Sequence, residues 1–173
     1  NEEEGTMVVG EDSGMEKLVV SGITLDKNEA RLTLKKVPDQ PGIASKVFAP
    51  LAEAGIQVDM NIQNTRSGGQ TDLTFTVNKS DLKQAQIIAE KIAKNIEAEE
   101  VLVADDIAKV SVIGVGMKNH AGVAATMFSA LAAENINIRL ISTSEIRISC
   151  VIDDRYAELA VRVLHEAFNL DKI

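Results

Sequence analysis

The chain has 173 residues, 45% hydrophobic but only 3% aromatic with no Trp, and a formal net charge of −8. That length suits one medium domain or two small ones of about eighty residues, and any core must be built from Ile, Leu, Val and Ala. The acidic balance argues against nucleic acid or an anionic membrane surface as partner. No apolar run approaches the roughly 20 residues that span a bilayer, no signal-peptide pattern opens the chain, and the lone Cys150 excludes an internal disulfide and fits a reducing cytoplasm.

Residues 1–16 hold five Glu, one Asp and three Gly without a sustained apolar period, the pattern of a linker or tail. Lys17 to Leu25 alternates around Gly22 and reads as a bulged strand. After a polar turn, Ala30, Leu32 and Leu34 alternate with Arg31, Thr33 and Lys35, giving a strand with one wet face. Pro38 and Pro41 stop the pairing, and Pro41-Gly42 turns the chain into a helix over 42–54. Its Ile43, Val47, Phe48 and Leu51 form a core stripe. Pro50 should bend that helix or end its regular part early, and Gly55 stops it. Val58 to Thr65 and Asp72 to Asn78 flank a Gly-rich hairpin loop. Ser80 or Asp81 caps a second helix, and Val101 to Ala104 is a closing strand.

A shift of 80 residues superimposes the second half on the first: Gly42 falls on Gly122, Ile43 on Val123, Val47 on Met127, Phe48 on Phe128, Leu51 on Leu131, and Gly55-Ile56 on Asn135-Ile136. The second unit then reads as a strand from Ala108 to Val115, a helix over 122–134, a hairpin within 137–152 and a helix over 155–169. It lacks a closing strand, while Lys17 to Leu25 has no partner of its own. The economical solution is that this strand completes the second unit, which gives units over 27–104 and over 17–26 plus 105–173. The alternative is two consecutive units, each led by its own strand.

Chemistry is sparse. His120 and His165 lie in separate units without a triad signature, one Cys and two distant His do not make a metal site, and Gly114-Val115-Gly116 lacks the third glycine of a dinucleotide fingerprint. Cys150, between Ile148 and Ile152, reads as a buried hydrophobe. No catalytic set, metal or cofactor is therefore expected. The turns at the two helix N-termini remain, where free N–H groups attract a carboxylate. Asp39 adds an anion suited to an ammonium, and Asn61 and Gln63 add amides, a combination that fits a free amino acid. The plainer reading makes Asp39 a turn former and Gly42 a helix starter.

The order strand-helix-strand-strand-helix-strand with a Pro-Gly turn resembles an ACT domain, so the expected class is α+β: two ferredoxin-like units, each an antiparallel sheet with helices on one face. More closely, residues 58–64, 71–76, 109–117 and 141–146 resemble the regulatory region of bacterial aspartate kinase, and Asn1 to Thr6 resembles the end of that enzyme's kinase domain. The Lys-x-Gly-Gly-Thr start of the catalytic part is absent, so the resemblance implies a regulatory fragment or subunit without kinase (ATP:L-aspartate 4-phosphotransferase) activity of its own. It implies feedback inhibition by threonine and/or lysine held between ACT domains, a homodimer, and a catalytic domain or subunit as partner. By position, Asp39, Gln40, Pro41, Gly42, Ile43 and Ala44 form the first effector loop with Asn61 and Gln63, closed by Asn137 and Ile138 from the partner chain. Met117, Lys118, Asn119, His120, Ala121, Gly122 and Val123 with Ser144 and Glu145 form a second region. There Asn119-His120-Ala121 replaces Asp39-Gln40-Pro41 and removes the carboxylate, which Glu145 could replace. An amino-acid-sensing ACT module of another biosynthetic enzyme is the alternative; a ferredoxin-like nucleic-acid binder is disfavoured by the charge and by the lack of paired strand aromatics.

Overall fold

A computed structural model describes residues 20–115 and 121–170. The expected tail over 1–16 and the first three residues of the expected leading strand lie outside them. Along the described residues run β1 (Val20–Asp26), β2 (Glu29–Pro38), α1 (Ile43–Glu53), β3 (Asn61–Arg66), β4 (Gln70–Asn78), α2 (Leu82–Asn95) and β5 (Glu100–Ala104). They continue with β6 (Ile107–Gly114), α3 (Ala121–Ala133), β7 (Leu140–Thr143), β8 (Arg147–Asp153) and α4 (Ala157–Ala167).

The strands form two antiparallel four-stranded sheets, ordered β3-β4-β2-β5 and β1-β6-β8-β7. The leading strand thus joins the second sheet: Ile23 lies opposite Val112 and Leu25 opposite Val110, with a register shift between Val20 and Gly22 where the sequence suggests a bulge. Each sheet buries the face that its alternation marks as apolar. Leu32, Leu34, Leu73, Phe75 and Val77 meet Val47 and Leu51 of α1 and Ala85 and Ala89 of α2, and Phe48 sets its ring edge-on to Phe75 at 5.5 Å. Val110, Val112, Ile148, Cys150 and Ile152 meet Met127, Leu131, Ala160 and Leu164, with Val20 and Ile23 of β1 packed against them.

Both first helices end by one device. Gly55 at φ 75° lets its N–H reach Ala52 O (2.9 Å) and that of Ile56 reach Leu51 O (3.0 Å). Asn135 at φ 55° does the same with Ala132 O (3.0 Å), and Ile136 with Leu131 O (3.0 Å). Asparagine tolerates the left-handed conformation, which is why the repeat can exchange the two residues.

Several expectations shift. Pro50 does not end its helix, which runs on to Glu53: the proline removes only the bond its own nitrogen would donate, its carbonyl still accepts from Ala54 N–H (3.2 Å), and Val47 and Leu51 hold the helix on the sheet. No side-chain bond caps α2, which is entered through a 3₁₀ turn at Lys79–Asp81. β3 starts at Asn61, not Val58. The Val58 side chain packs into the first core, and Met60 turns to the junction between the two units.

At that junction, buried Met60, Ile107 and Val151 touch, with Ala104 and Leu140 against them. Beside them Lys109 of β6 reaches into the first unit, where its Nζ donates to Glu29 Oε1 at 3.2 Å and to Asp59 Oδ2. Burial pulls the Lys109 ammonium down, but Asp59 and Glu29 outweigh it and leave its pKa above the usual lysine value. Burial raises the Glu29 carboxyl, only partly offset by Lys109. Burial raises Asp59 as well, yet there Lys109 prevails and its pKa ends lowered.

Candidate functional site

The first predicted loop is prepared by a kink in β2. Its register against β4 shifts between Leu34 and Val37, and Lys36 sits at φ 52°. The Lys36 N–H is thereby donated to Asp72 Oδ1 (2.9 Å), while Asp72 Oδ2 accepts Arg66 Nε (2.8 Å). Burial raises the Asp72 carboxyl, but these two donors outweigh it and hold its pKa below the ordinary 3.8. Past Pro38, Asp39 N–H donates to Gly69 O (2.8 Å), tying the loop to the hairpin turn, where Gly68 and Gly69 take φ 84° and 72°. Gly42, at φ 87°, then occupies the N-cap of α1 without a side-chain cap bond.

This geometry brings part of the predicted set together. Asn61 and Gln63 pair with Phe75 and Leu73, so they share the helix-side face of the sheet. There Gln63 Nε2 donates to Asp39 Oδ1 over a long 3.5 Å. Asp39, Gln40, Pro41, Gly42, Ala44, Asn61 and Gln63 are all exposed. Ile43 is the loop's anchor instead, its side chain buried in the core and its N–H donated to Gln40 O (3.2 Å). The helix N-terminus therefore offers the N–H groups that follow, those of Ala44 and Ser45, beside an amide and a carboxylate.

Ile138 lies elsewhere in the same chain. With Arg139, Leu140 and Ile141 it faces Ile62 and Asn64 across a groove of about 280 Å³. Ile62 and Asn64 occupy the opposite face of β3 from Asn61 and Gln63, so within one chain Ile138 does not reach the Asp39 side. Asn137 is exposed next to it. In the second region Ala121 and Gly122 are exposed at the start of α3 and Val123 is buried. Ser144 and Glu145 occupy the exposed turn between β7 and β8, where Ser144 N–H donates to Arg147 O (2.7 Å). Met117, Lys118, Asn119 and His120 lie outside the described residues.

Sequence reasoning missed the supports of the first loop: Asp72, Arg66, Lys36 and the carbonyl of Gly69. The only available signal was Asp72, a carboxylate at an outward-facing position of a β-rich run. Cys150 is fully buried and its thiol is pushed up to about 12 by burial, and among the described residues no three His, Cys, Asp or Glu converge to hold a metal ion.

ACT-domain family profiles match residues 31–97 and residues 110–168. The chain is a tandem of ACT domains. The aspartate kinase of Pseudomonas putida is 49% identical over 168 residues, which are 96% of this chain and 41% of that protein. The ligand-free regulatory subunit of aspartate kinase from Thermus thermophilus is 45% identical with a TM-score of 0.83, covering 87% of this chain and 99% of that one. A structure of aspartokinase alpha and beta subunits gives 49% identity and a TM-score of 0.81 over the same shares. The chain belongs to the aspartate kinase family, matching its non-catalytic, allosteric regulatory part. It spans 41% of the length of the P. putida relative.

Proposed function

We propose that this chain senses an end product of amino-acid biosynthesis for an aspartate kinase, binding threonine or lysine at the Asp39 loop and lowering the activity of a catalytic domain or subunit with which it associates. The observation that carries the reading is the convergence at the start of α1: the Asp39 carboxylate and Gln63 amide stand within 3.5 Å of each other beside the first-turn N–H groups, on a loop strapped to Gly69. An α-amino acid presents the matching groups, an ammonium for Asp39 and a carboxylate for the helix N-terminus, where charge-assisted bonds contribute most.

The site is open on one side, and we assign its closure to Asn137 and Ile138 of a second copy. In one chain Ile138 meets the other face of β3, so the Asp39 side is left for the partner. One two-fold axis would pair each first unit with the partner's second and close the assembly. The region around Ala121, Gly122, Ser144 and Glu145 is the corresponding second site, with Glu145 supplying the anion.

Calorimetric titration tests the reading. Threonine and lysine, each alone and both together, should give saturable heat for at least one of them, while a duplex oligonucleotide should give none. Heat from the oligonucleotide alone, with none from either amino acid, would overturn it.

A further inference from the structure

We propose that Lys109 is the coupling residue between the two ACT units, holding their relative orientation and carrying effector occupancy at β3 of the first unit to β6 of the second. The coupling half of this inference rests on the effector reading above; the latch half does not.

The chain crosses between the units at two places, Lys27–Asn28 and Asp105–Asp106, each a two-residue connection. Connections this short bring the units together without fixing an angle, so side chains at the crossing must set it. Glu29 follows the first crossing immediately, and Lys109 stands three residues after the second. The Lys109–Glu29 pair is buried, with side chains 11% and 4% exposed. Asp59, whose side chain is 48% exposed, takes the same ammonium.

Two features make this more than a surface ion pair. First, one ammonium serves two carboxylates, and a third, Asp26, sits opposite Lys109 on β1 and lines the same cavity of about 580 Å³. Removing Lys109 therefore leaves the buried Glu29 carboxyl and its neighbours Asp59 and Asp26 without their shared cation. Buried Glu29 Oε2 has no other partner. A buried pair of this kind is weak evidence for stability, because desolvation offsets its attraction, and its proposed task here is to specify one arrangement. Second, Asp59 is two residues before Asn61 and four before Gln63, and the backbone between is pinned to β4, with Asp59 N–H on Thr76 O (3.0 Å), Met60 N–H on Thr76 Oγ1 (3.1 Å) and Thr76 N–H on Met60 O (2.9 Å). A shift of β3 toward a ligand thus moves the carboxylate that Lys109 holds. Lys109 itself lies on a central strand, paired with Val151 of β8, whose neighbour β7 continues from Asn137 and Ile138.

Hydrogen–deuterium exchange on the whole chain decides it, using Lys109→Met, Lys109→Arg and Asp59→Asn. Asp59 is half exposed, so its variant remains informative should Lys109→Met fail to fold. Without ligand, Lys109→Met and Asp59→Asn should raise exchange at Met60 to Ile62 and Ile107 to Val110 at least tenfold, with the amides of Leu32 to Leu34, which pair only with β4 and β5, unchanged and Lys109→Arg close to wild type. Threonine or lysine should then protect both β3 and β6 in the wild type and in Lys109→Arg, but β3 alone in Asp59→Asn. Unchanged junction exchange in folded Asp59→Asn would overturn the latch, and protection that still reaches β6 in that variant would overturn the coupling. If neither amino acid binds the wild type, the effector reading fails and with it the coupling, while the ligand-free comparison still judges the latch.

Discussion

Asp72 is the residue on which the shape of the Asp39 loop most depends, because it alone accepts both the Lys36 N–H at the kink and the Arg66 guanidinium on the hairpin. Its pKa is depressed on folding, so its stabilisation is present above 3.8 and lost as the pH falls through the still lower folded value. Asp72→Asn should cost about 1–3 kcal/mol at pH 7, and denaturant unfolding should show the gap from wild type closing below pH 3.8. Cys150 works in the opposite range. The unfolded thiol ionises near 9.0 while the folded one waits until about 12, so the unfolded state gains between those values. Stability should fall by about 1.4 kcal/mol per pH unit there, and Cys150→Ala should remove that slope. Lys109, also raised, adds its own loss above 10.5 and leaves a residual slope in the variant. At this scale the sequence revealed partners close along the chain, such as Asp39 and Gln63. It hid Lys109, whose partners lie 80 and 50 residues away and become neighbours only when the units meet.

Among the elements, those with a clear period were legible. Leu32 and Leu34 mark β2 by alternation, and Val47 and Leu51 mark α1 by helical spacing. β6 was harder, because seven of its eight residues are buried, Lys109 and Ser111 among them. Its polar face is hidden by the neighbouring unit and by pairing with β8, where Ser111 and Ser149 share a 2.7 Å bond. The kink at Lys36 had no sequence mark, since a lysine at positive φ is held by Asp72 rather than by its own preference. The leading strand was found by counting: one sheet lacked an edge and one strand lacked a sheet. Its removal should strip the cover from β6 and the contacts of Val20 and Ile23. Hydrogen exchange on a chain without β1 should therefore rise across β6 and β8 and stay low across β2 and β4. Loosening confined to the first unit would contradict the pairing.

At the scale of the two units, the short crossings are bridged by an apolar contact and an ion triad, and the Asp39 loop lies exposed on the first unit. The proposed site requires a homodimer, since Ile138, assigned to close it, meets the opposite face of β3 within one chain. Sedimentation at micromolar concentration should give twice the chain mass with threonine or lysine present, and a monomer under those conditions would refute the shared site. In the proposed site Asp39 holds the effector's ammonium. Asp39→Ala removes one charge-assisted bond, worth about 1.5–3 kcal/mol, from an exposed position whose backbone is already set by Pro38, Pro41 and the Gly69 bond. Titration of threonine and lysine into Asp39→Ala beside the wild type, each checked for thermal stability, is the most direct test. Binding should weaken by roughly ten- to a hundredfold with an unchanged melting temperature; full affinity in a well-folded variant would make the loop an ordinary turn.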